Sequence, residues 1–128
     1  NLTGADLTGA DLIGANLYSA DLSQATMAEA RLNSANLGGA ILYKASLTGA
    51  NLSGANLTGV NLGGAILYKA SLTGANLSGA NLFGVDLDNA DLSGANLTGA
   101  NLTRANLTLV VGADLIGALN VPDKYVKD

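Results

Sequence analysis

The stretch Asp91–Ala105 reads D-L-S-G-A, N-L-T-G-A, N-L-T-R-A, one copy after another of a five-residue unit. The same unit runs in unbroken register over residues 1–110. Its centre is Leu in 21 of 22 units, and Met27 is the exception. A fixed period this strict predicts a repeat architecture before any propensity argument is needed.

Neither an α-helix nor a flat strand buries these leucines together. On an α-helix, five residues advance the side chain by about 500°, which spreads the leucines around the whole cylinder. On a strand, an odd step sends successive leucines to opposite faces. A coil that turns a corner after every unit buries all of them. We number the positions of the unit from first to fifth as Ala, Asn or Asp, Leu, Thr or Ser, and Gly. We expect the first and third positions to point inward.

The fifth position predicts the corner. It is Gly in most units, and a type II turn needs positive φ at its second central residue, where Gly has no steric cost. With this corner the sequence resembles the pentapeptide-repeat family, whose pattern A-(D/N)-L-x-x it follows over residues 1–110. The resemblance implies an all-β fold, a right-handed quadrilateral β-helix (pentapeptide-repeat solenoid) with four units per coil and about 5.5 coils. We divide the chain into this β-helix, 1–110, and a C-terminal cap and tail, 111–128.

Several corners carry a side chain instead of Gly. Positive φ is costly for a residue with a Cβ, whereas Asn tolerates it better, so Asn89 is left open. We predict type I or irregular turns with negative φ at the other such corners: Ser19, Gln24, Glu29, Ser34, Lys44, Lys69 and Arg104. The first four of these lie in successive units. They predict one coil of altered cross-section, with the flexible Met27 filling the misfit.

Three polar features follow from four units per coil. Arg31 should lie one coil above Asp11, where an exposed ion pair is worth at most about 1 kcal/mol. Asp86, Asp88 and Asp91 lie close together, but their convex surface lacks the further oxygen ligands of a calcium cage. We interpret them as a solvated acidic patch and predict no metal site. The Asn residues of one side are predicted to form a hydrogen-bonded amide ladder: Asn16, Asn36, Asn56, Asn76 and Asn96.

One long segment occurs twice. The sequence A-I-L-Y-K-A-S-L-T-G-A-N-L-S-G-A-N-L lies at Ala40–Leu57 and again at Ala65–Leu82, an offset of 25 residues. With four units per coil, identical residues fall one coil up and one side around, so Tyr43 and Tyr68 should face directions a quarter-turn apart. A selected binding face is not normally copied in this way. We therefore interpret the duplication as drift of a slippage-prone repeat.

The register breaks after Thr108, and two alternatives remain for 111–121. One is a three-residue insertion followed by a further unit in shifted phase. The other is a short amphipathic helix with apolar residues at four-residue spacing: Val111, Leu115 and Leu119. Either would cover the unpaired edge of the last coil, which otherwise invites association. Pro122 ends regular pairing, and the segment 123–128 is predicted to be a loose tail.

The amino-acid composition argues against several classes of function. The 128 residues are enough for one domain, and the net charge of −4 leaves no basic footprint for nucleic acid. His and Cys are absent, and the outward positions of a filled rod offer no concave pocket. We therefore predict no enzyme: no catalytic residues, no cofactor and no metal. No apolar run approaches the roughly 18 residues that span a bilayer, so no membrane partner is predicted.

We predict a non-catalytic structural or protein-interaction scaffold whose protein partner is unknown. The alternative comes from the resemblance, because some family members mimic duplex DNA and bind a type II topoisomerase, which gives gyrase protection. That function implies a long acidic face, whereas the carboxylates of the repeat body gather near its two ends. The chain should be a monomer, or a weak end-to-end homodimer through the uncapped Asn1 end.

The sequence is similar to the plain A-(N/D)-L-x-G type that cyanobacteria carry in large numbers. We expect a soluble bacterial protein of the cytoplasm, the periplasm or the thylakoid lumen. The chain opens in mid-unit at Asn1 without a starting Met, which predicts a processed chain or a piece of a longer one.

Overall fold

The computed structural model describes residues 1–126. Parallel bridges join each unit to the unit 20 residues further on, from Asp6 with Thr26 to Asp91 with Val111. One coil therefore contains four units, and the chain forms a four-sided, all-β helix in which each unit supplies one side. Within the described residues, the β contacts are single bridges between short extended segments, and the only helix is the 3-10 helix Asp123–Tyr125.

The unit Ala55–Gly59 shows where the backbone hydrogen bonds of one side go. The N–H of Asn56 donates to the preceding coil at 2.9 Å, and those of Leu57 and Gly59 donate to the following coil at 2.7 and 3.0 Å. The first-position N–H closes the previous corner at 3.0 Å. Only the N–H of Thr58 lacks a backbone acceptor, and it donates to Oδ1 of Asn56 at 3.1 Å.

This side-chain bond explains why the second position is Asn or Asp. Every Asn or Asp at that position accepts the N–H two residues further on, at 2.9–3.3 Å. Such Asx turns are a recognised use of these side chains. The predicted amide ladder is mostly wrong, because between Asn16 and Asn96 only Asn56 and Asn36 are joined, at 3.1 Å. The side chains of Asn16, Asn76 and Asn96 instead form Asx turns within their own units.

The first and third positions fill the interior, as the period predicted. From Leu22 to Leu107 every third-position side chain is buried, including Met27 at 0% exposure. Fully burying a Leu is worth roughly 1.5–3 kcal/mol. The first coil is covered on one side only, and Leu2 is 38% exposed. The core is therefore a stack of apolar layers whose protection depends on a coil above and a coil below.

The prediction for the corners that carry side chains was wrong. Their φ angles lie between 56° and 59°: Ser19, Gln24, Glu29, Ser34, Lys44, Lys69 and Arg104. Asn89, for which no turn was predicted, also has positive φ, at 59°. The corner N–H donates to the next coil, as Gln24 does to Tyr43 O at 2.8 Å, so the ladder fixes the corner whatever residue occupies it. The cross-section does not change either, because the 20-residue bridges continue through this coil. The Gly corners have the predicted positive φ.

The last coil ends in a shifted register. Leu119 bridges Asn101, an offset of 18 residues, because the three residues 110–112 stand where a five-residue unit would otherwise lie. A further corner then closes through a 3.1 Å bond from the N–H of Ala118 to the carbonyl oxygen of Leu115. Residues 111–121 contain no helical residue.

The hydroxyl of Tyr125 accepts the N–H of Leu107 at 3.0 Å, in place of the carbonyl of a further coil. On these contacts we propose the division into a β-helix, 1–110, and a cap and tail, 111–128. The end of the predicted tail, Lys127 and Asp128, lies outside the described residues.

Candidate interaction surface

The 20-residue bridges define four sides, which differ in what they display. The first side contains the units 20–24, 40–44, 60–64, 80–84 and 100–104, and the second, third and fourth sides follow it around each coil. Carboxylates concentrate on the second side: Asp6, Glu29, Asp86 and Asp88. The fourth side, which carries the column from Asn16 to Asn96, holds no charged residue between those two positions. Charge therefore distinguishes the sides although their backbones repeat.

On the third side, the predicted ion pair is confirmed. Nη1 of Arg31 lies 3.0 Å from Oδ2 of Asp11 on the coil below. Both side chains are more than half exposed, so the pair is worth at most about 1 kcal/mol. Arg31 is the only basic side chain in residues 1–126 that forms an ion pair with another described residue.

On the first side, a strip from Ile41 to Arg104 carries apolar, basic and uncharged polar side chains and no carboxylate, and Asp21 lies one coil below it. Tyr43 and Phe83 are 44% and 43% exposed on this strip. The Nζ of Lys44 lies 5.3 Å from the centre of the Tyr43 ring, and the Cζ of Arg104 lies 5.8 Å from that of Phe83. The first side of this acidic protein thus brings two aromatic rings and two cations together.

The ring of Tyr43 lies on a glycine. A Cβ atom on Gly63 would stand 3.3 Å from Cδ2 of Tyr43 and 3.1 Å from Oδ1 of Asn61, so the ring occupies the place of a side chain. Gly38 is related to Tyr18 in the same way, with a 3.2 Å approach. Both glycines are buried. The rings therefore lie along the stack and leave one face to solvent.

The segment Ile41–Lys44 departs from the repeat at each outward position. Ile41 has no acceptor for the N–H of Tyr43, a bond that every Asn or Asp at its position makes. Lys44 holds φ at 56° where Gly is usual. A hydrogen bond is worth about 0.5–1.5 kcal/mol, and left-handed backbone costs a residue with a Cβ about 1–2 kcal/mol. This segment therefore lacks the Asx turn and the Gly corner that stabilise most other units.

The duplicate segment gives the same side chains another setting. Ile66, Tyr68 and Lys69 lie on the second side, a quarter-turn from their counterparts and one coil further on, as predicted from the offset. Lys69 again lies near its ring, 5.2 Å from the centre of Tyr68. One coil beyond Tyr68 and Lys69, the fourth and fifth positions are Asp88 and Asn89. One coil beyond Tyr43 and Lys44, the same positions are the buried Gly63 and the corner Gly64.

The acidic patch is held by local hydrogen bonds. Asp86 accepts the N–H of Asp88 at 3.0 Å and an amide hydrogen of Asn106 at 3.1 Å, and Asp88 accepts from Asn89 at 2.8 Å. The pKa of Asp91 is lowered because the hydroxyl and the N–H of Ser93 donate to its carboxylate. Asp86 and Asp91 therefore each form the Asx turn of their own unit, whereas Asp88 is held by the side chain of Asn89. Within residues 1–126, no cluster of acidic, His or Cys side chains has the geometry of a metal site.

Two open depressions lie at the C-terminal end. The first, of about 440 Å³, is lined by the cap, with Asp114, Ile116, Val121 and Tyr125 among its residues. The second, of about 490 Å³, adjoins it around Leu107. Both belong to the end of the stack and not to its sides. Within residues 1–126, no helix has the length and apolar character that a membrane span requires.

Sequence reasoning missed three features of the first side. Gly63 occupies the fourth position, which is usually Thr or Ser, one coil after a Tyr, and that pairing was a readable signal. The loss of the Asx turn at Ile41 was visible once the role of the second position was known. The place of Phe83 and Arg104 on the same side as Tyr43 follows from four units per coil.

Comparison with known proteins places this chain among repeat proteins. The family described as Pentapeptide repeats matches with 8 copies, over residues 1–27, 20–64, 45–82, 70–108 and 80–119. No curated protein sequence matches significantly.

Among solved structures, HetL of the cyanobacterium Nostoc sp. strain PCC 7120 is 37% identical, with a TM-score of 0.59 over 87% of this chain. It is a pentapeptide repeat protein involved in heterocyst differentiation regulation. This chain spans 64% of the length of HetL.

A second similar structure is a pentapeptide repeat protein of the Arabidopsis thaliana thylakoid lumen. It is 38% identical, with a TM-score of 0.64, and the match covers 83% of this chain and 70% of that one. QnrB1, a plasmid-mediated fluoroquinolone resistance protein, is 27% identical with a TM-score of 0.37, over 91% of this chain and 72% of QnrB1. A TM-score of 0.37 is too low to support an inference about function.

Proposed function

This chain belongs to the pentapeptide repeat family, and we propose that within it the chain is a non-catalytic scaffold that binds a protein partner through its sides. The observation that carries the proposal is the segment Ile41–Lys44. It gives up an Asx turn and a Gly corner, and it displays an aliphatic, an aromatic and a basic side chain instead. Residues that do not suit their local backbone conformation, as here, are expected at functional sites.

The rest of the molecule supports a binding role rather than catalysis. Its interior is filled by Leu and Ala, and its sides are convex, so reacting groups would have no enclosure to shift their pKa. Slippage explains why the segment occurs twice, but not why its first copy holds an unfavourable backbone. We therefore read Ile41–Lys44 as selected, and its copy on the second side as a consequence of the duplication.

Protection of gyrase by DNA mimicry is the weaker alternative. It needs a long acidic face, and the carboxylates of the second side are interrupted from Ser46 to Lys69. The fourth side is neutral from Asn16 to Asn96. Protection of gyrase supercoiling from a quinolone by the purified chain would favour this alternative over a general scaffold. The weak end-to-end homodimer through the Asn1 end also stays a prediction.

A stability and binding comparison tests the scaffold function. Replacing Ile41–Lys44 with the repeat sequence Asn-Leu-Thr-Gly restores the Asx turn and the Gly corner. We expect this variant to be more stable by about 1–2 kcal/mol. It should lose a partner that the unaltered chain captures from cells that carry its gene. The equivalent replacement of Ile66–Lys69 is the matched control, since it should stabilise equally and keep the partner.

Two results would count against this assignment. Failure of the folded, unaltered chain to retain any partner would contradict a scaffold function. Retention by the Ile41–Lys44 variant, with loss by the Ile66–Lys69 variant, would move the binding surface to the second side. Measuring the melting temperature of both variants separates lost binding from lost folding.

A further inference from the structure

We propose that the first side binds an extended acidic segment of a partner protein, with two carboxylates for Lys44 and Arg104 and one apolar side chain between them. This inference rests on the proposed scaffold function and specifies its partner. It starts from charge, because the strip from Ile41 to Arg104 has two cations and no carboxylate in a chain of net charge −4. Neither cation forms an ion pair with a described residue.

The spacing of the two corners that carry the cations sets the length of the segment. Lys44 and Arg104 lie in one column of corners, three coils apart. Adjacent parallel strands are about 4.8 Å apart, which gives about 14 Å between the two corners. An extended peptide advances about 3.4 Å per residue, so four residues cover the same distance. Because side chains alternate between faces, residues i and i+4 both point towards the surface.

The residue halfway between the two carboxylates also points towards the surface. Its position lies between Gly64 and Gly84, the two corners of this column that have no side chain. A Cβ built on Gly84 meets nothing within 4 Å, so this part of the side is open. Tyr43 and Phe83 occupy the fourth positions beside this space. An apolar residue at i+2 would lie against the two rings.

The same chemistry selects a peptide over nucleic acid. Two cations neutralise too few phosphates to hold a polyanionic backbone to an acidic protein. Two carboxylates at fixed spacing, with an apolar side chain between them, use both the cations and the rings. The fitting pattern is acidic–any–apolar–any–acidic, in an extended conformation.

The duplicate segment shows why the second side does not offer the same site. Lys69 has the same neighbours in sequence as Lys44, but no described residue lies three coils beyond it. One coil beyond Lys69 the corner is Asn89, with Asp88 beside it, where the first side has Gly64 and Gly63. The copy therefore retains one cation and one ring but lacks the second cation, and Leu109 lies two coils beyond it, where the first side has the open Gly84.

Fluorescence polarisation with a labelled peptide tests the proposal on the full chain. The probe contains Glu-Thr-Phe-Thr-Glu in a Gly-Ser context, and we expect saturable binding at about 1 mM or tighter. A peptide of equal composition, Glu-Thr-Thr-Phe-Glu, turns the Phe away from the surface and should bind about tenfold more weakly. Lys44→Gln and Arg104→Gln should each weaken binding about two- to fivefold. Lys69→Gln should leave it unchanged.

A pair of glycine variants tests the open corner without a difference in folding cost. Gly84 and Gly59 both have positive φ and nothing within 4 Å of a built Cβ, but only Gly84 lies in the proposed site. Asn tolerates this backbone, so Gly84→Asn and Gly59→Asn should melt alike. We expect only Gly84→Asn to weaken binding of the peptide, by about tenfold, because the Asn side chain would occupy the place of the Phe.

Several results would overturn the inference. These are absence of saturable binding, equal affinity for the two peptides, and equal weakening by Lys69→Gln. Binding of dextran sulfate as tight as that of the peptide would reduce the first side to a general anion surface. If a partner captured by the scaffold experiment binds Lys44→Gln and Arg104→Gln unchanged, the peptide site is wrong while the scaffold function stands. If no partner is captured at all, the scaffold function itself fails.

Discussion

Corner residues with a Cβ have the left-handed backbone that glycine usually provides. Gln24, at φ 59°, is typical, and its N–H donates to the following coil at 2.8 Å. Left-handed backbone costs such a residue about 1–2 kcal/mol, but a different turn would remove a ladder bond and displace the side that follows. The residue keeps its left-handed backbone because hydrogen bonds to the neighbouring coils fix its position.

The corners lead to a stability prediction. Gln24→Gly should relieve the left-handed strain, and about 0.4–1 kcal/mol of that gain should be lost to the greater freedom of Gly in the unfolded chain. We expect a net gain of about 0.5–1 kcal/mol in the free energy of unfolding, measured by thermal or denaturant melts. Gln24→Ala is the control, since it keeps the Cβ and should change little. A loss of stability in Gln24→Gly would show that its side chain contributes more than the strain costs.

Acid should weaken the Asx turns that depend on a carboxylate. The hydroxyl of Ser23 donates to Asp21 at 2.7 Å and the N–H of Ser23 at 3.0 Å, and these bonds lower the pKa of Asp21. The pKa of Asp6 is lowered in the same way by the hydroxyl and N–H of Thr8. A depressed folded pKa contributes stability above the unfolded value of 3.8, and this contribution is lost as pH falls through the folded value.

The matched variant for this effect is Asp21→Asn, which keeps the Oδ1 acceptor and cannot titrate. We expect it to be slightly less stable than the parent at pH 7, because an amide oxygen accepts more weakly than a carboxylate, and to lose less melting temperature between about pH 5 and pH 2. Asp21→Ala should be less stable at both ends of that range, because it removes the acceptor. Parallel pH curves for the parent and Asp21→Asn would show that the turn does not sense protonation.

Residue-level prediction succeeded where one force decided the outcome. Burial of Leu57 followed from the period alone, since no other arrangement brings the leucines together. It failed at Ser34, where the local preference for negative φ competes with hydrogen bonds to another coil. It failed again at Asn76, where a predicted ladder residue serves an Asx turn within its own unit. Sequence shows local preferences, but the strength of the stacking became visible only in the folded coil.

At the scale of one coil, stability comes from contact with its two neighbours. Leu57 is 1% exposed between Leu37 and Leu77, which are buried as deeply. Leu2 belongs to a coil with only one neighbour in the described structure. Repeat proteins of this kind have stabilities that are approximately sums of unit and nearest-neighbour terms. Equal substitutions should therefore have unequal costs along the stack.

Truncation of the two leucines tests this picture. Leu57→Ala should cost about 2–5 kcal/mol, through lost transfer energy and a residual cavity between the neighbouring layers. Leu2→Ala should cost less, because the residue is already partly exposed and the end can relax. Thermal melts of the two variants decide the point. Equal losses would contradict the stacked-column arrangement.

The number of units per coil and the quarter-turn between the duplicate segments were predictable at this scale. Both follow from the resemblance and from the offset of 25 residues, and the bridges confirm them. The column shared by Lys44 and Arg104 follows from the same count, because the two residues lie 60 positions, or three coils, apart. The loss at Ile41 was not predictable in the same way, because the role of the second position in accepting an N–H became evident only in the folded coil.

For the whole molecule, the ends matter as much as the sides, because each open edge leaves backbone groups without a partner coil. At the C-terminal end, residues 111–126 cover part of the last coil. Gly117 O accepts the N–H of Gly99 at 2.8 Å, and Leu119 O accepts that of Leu102 at 2.9 Å. The last of these contacts comes from a side chain, the hydroxyl of Tyr125, which accepts the N–H of Leu107.

Tyr125 also contacts Asn106 Oδ1, at 3.3 Å, so its hydroxyl joins the cap to the last Asx turn of the repeat body. Tyr125→Phe keeps the ring and removes these bonds. We expect a local loss of about 0.5–1.5 kcal/mol, seen as faster hydrogen exchange of the amides near Leu107. The amide of Leu57, in mid-stack, should exchange at its original rate, because coils interact with their nearest neighbours. Uniformly faster exchange along the chain would instead show that the cap stabilises the whole rod as one cooperative unit.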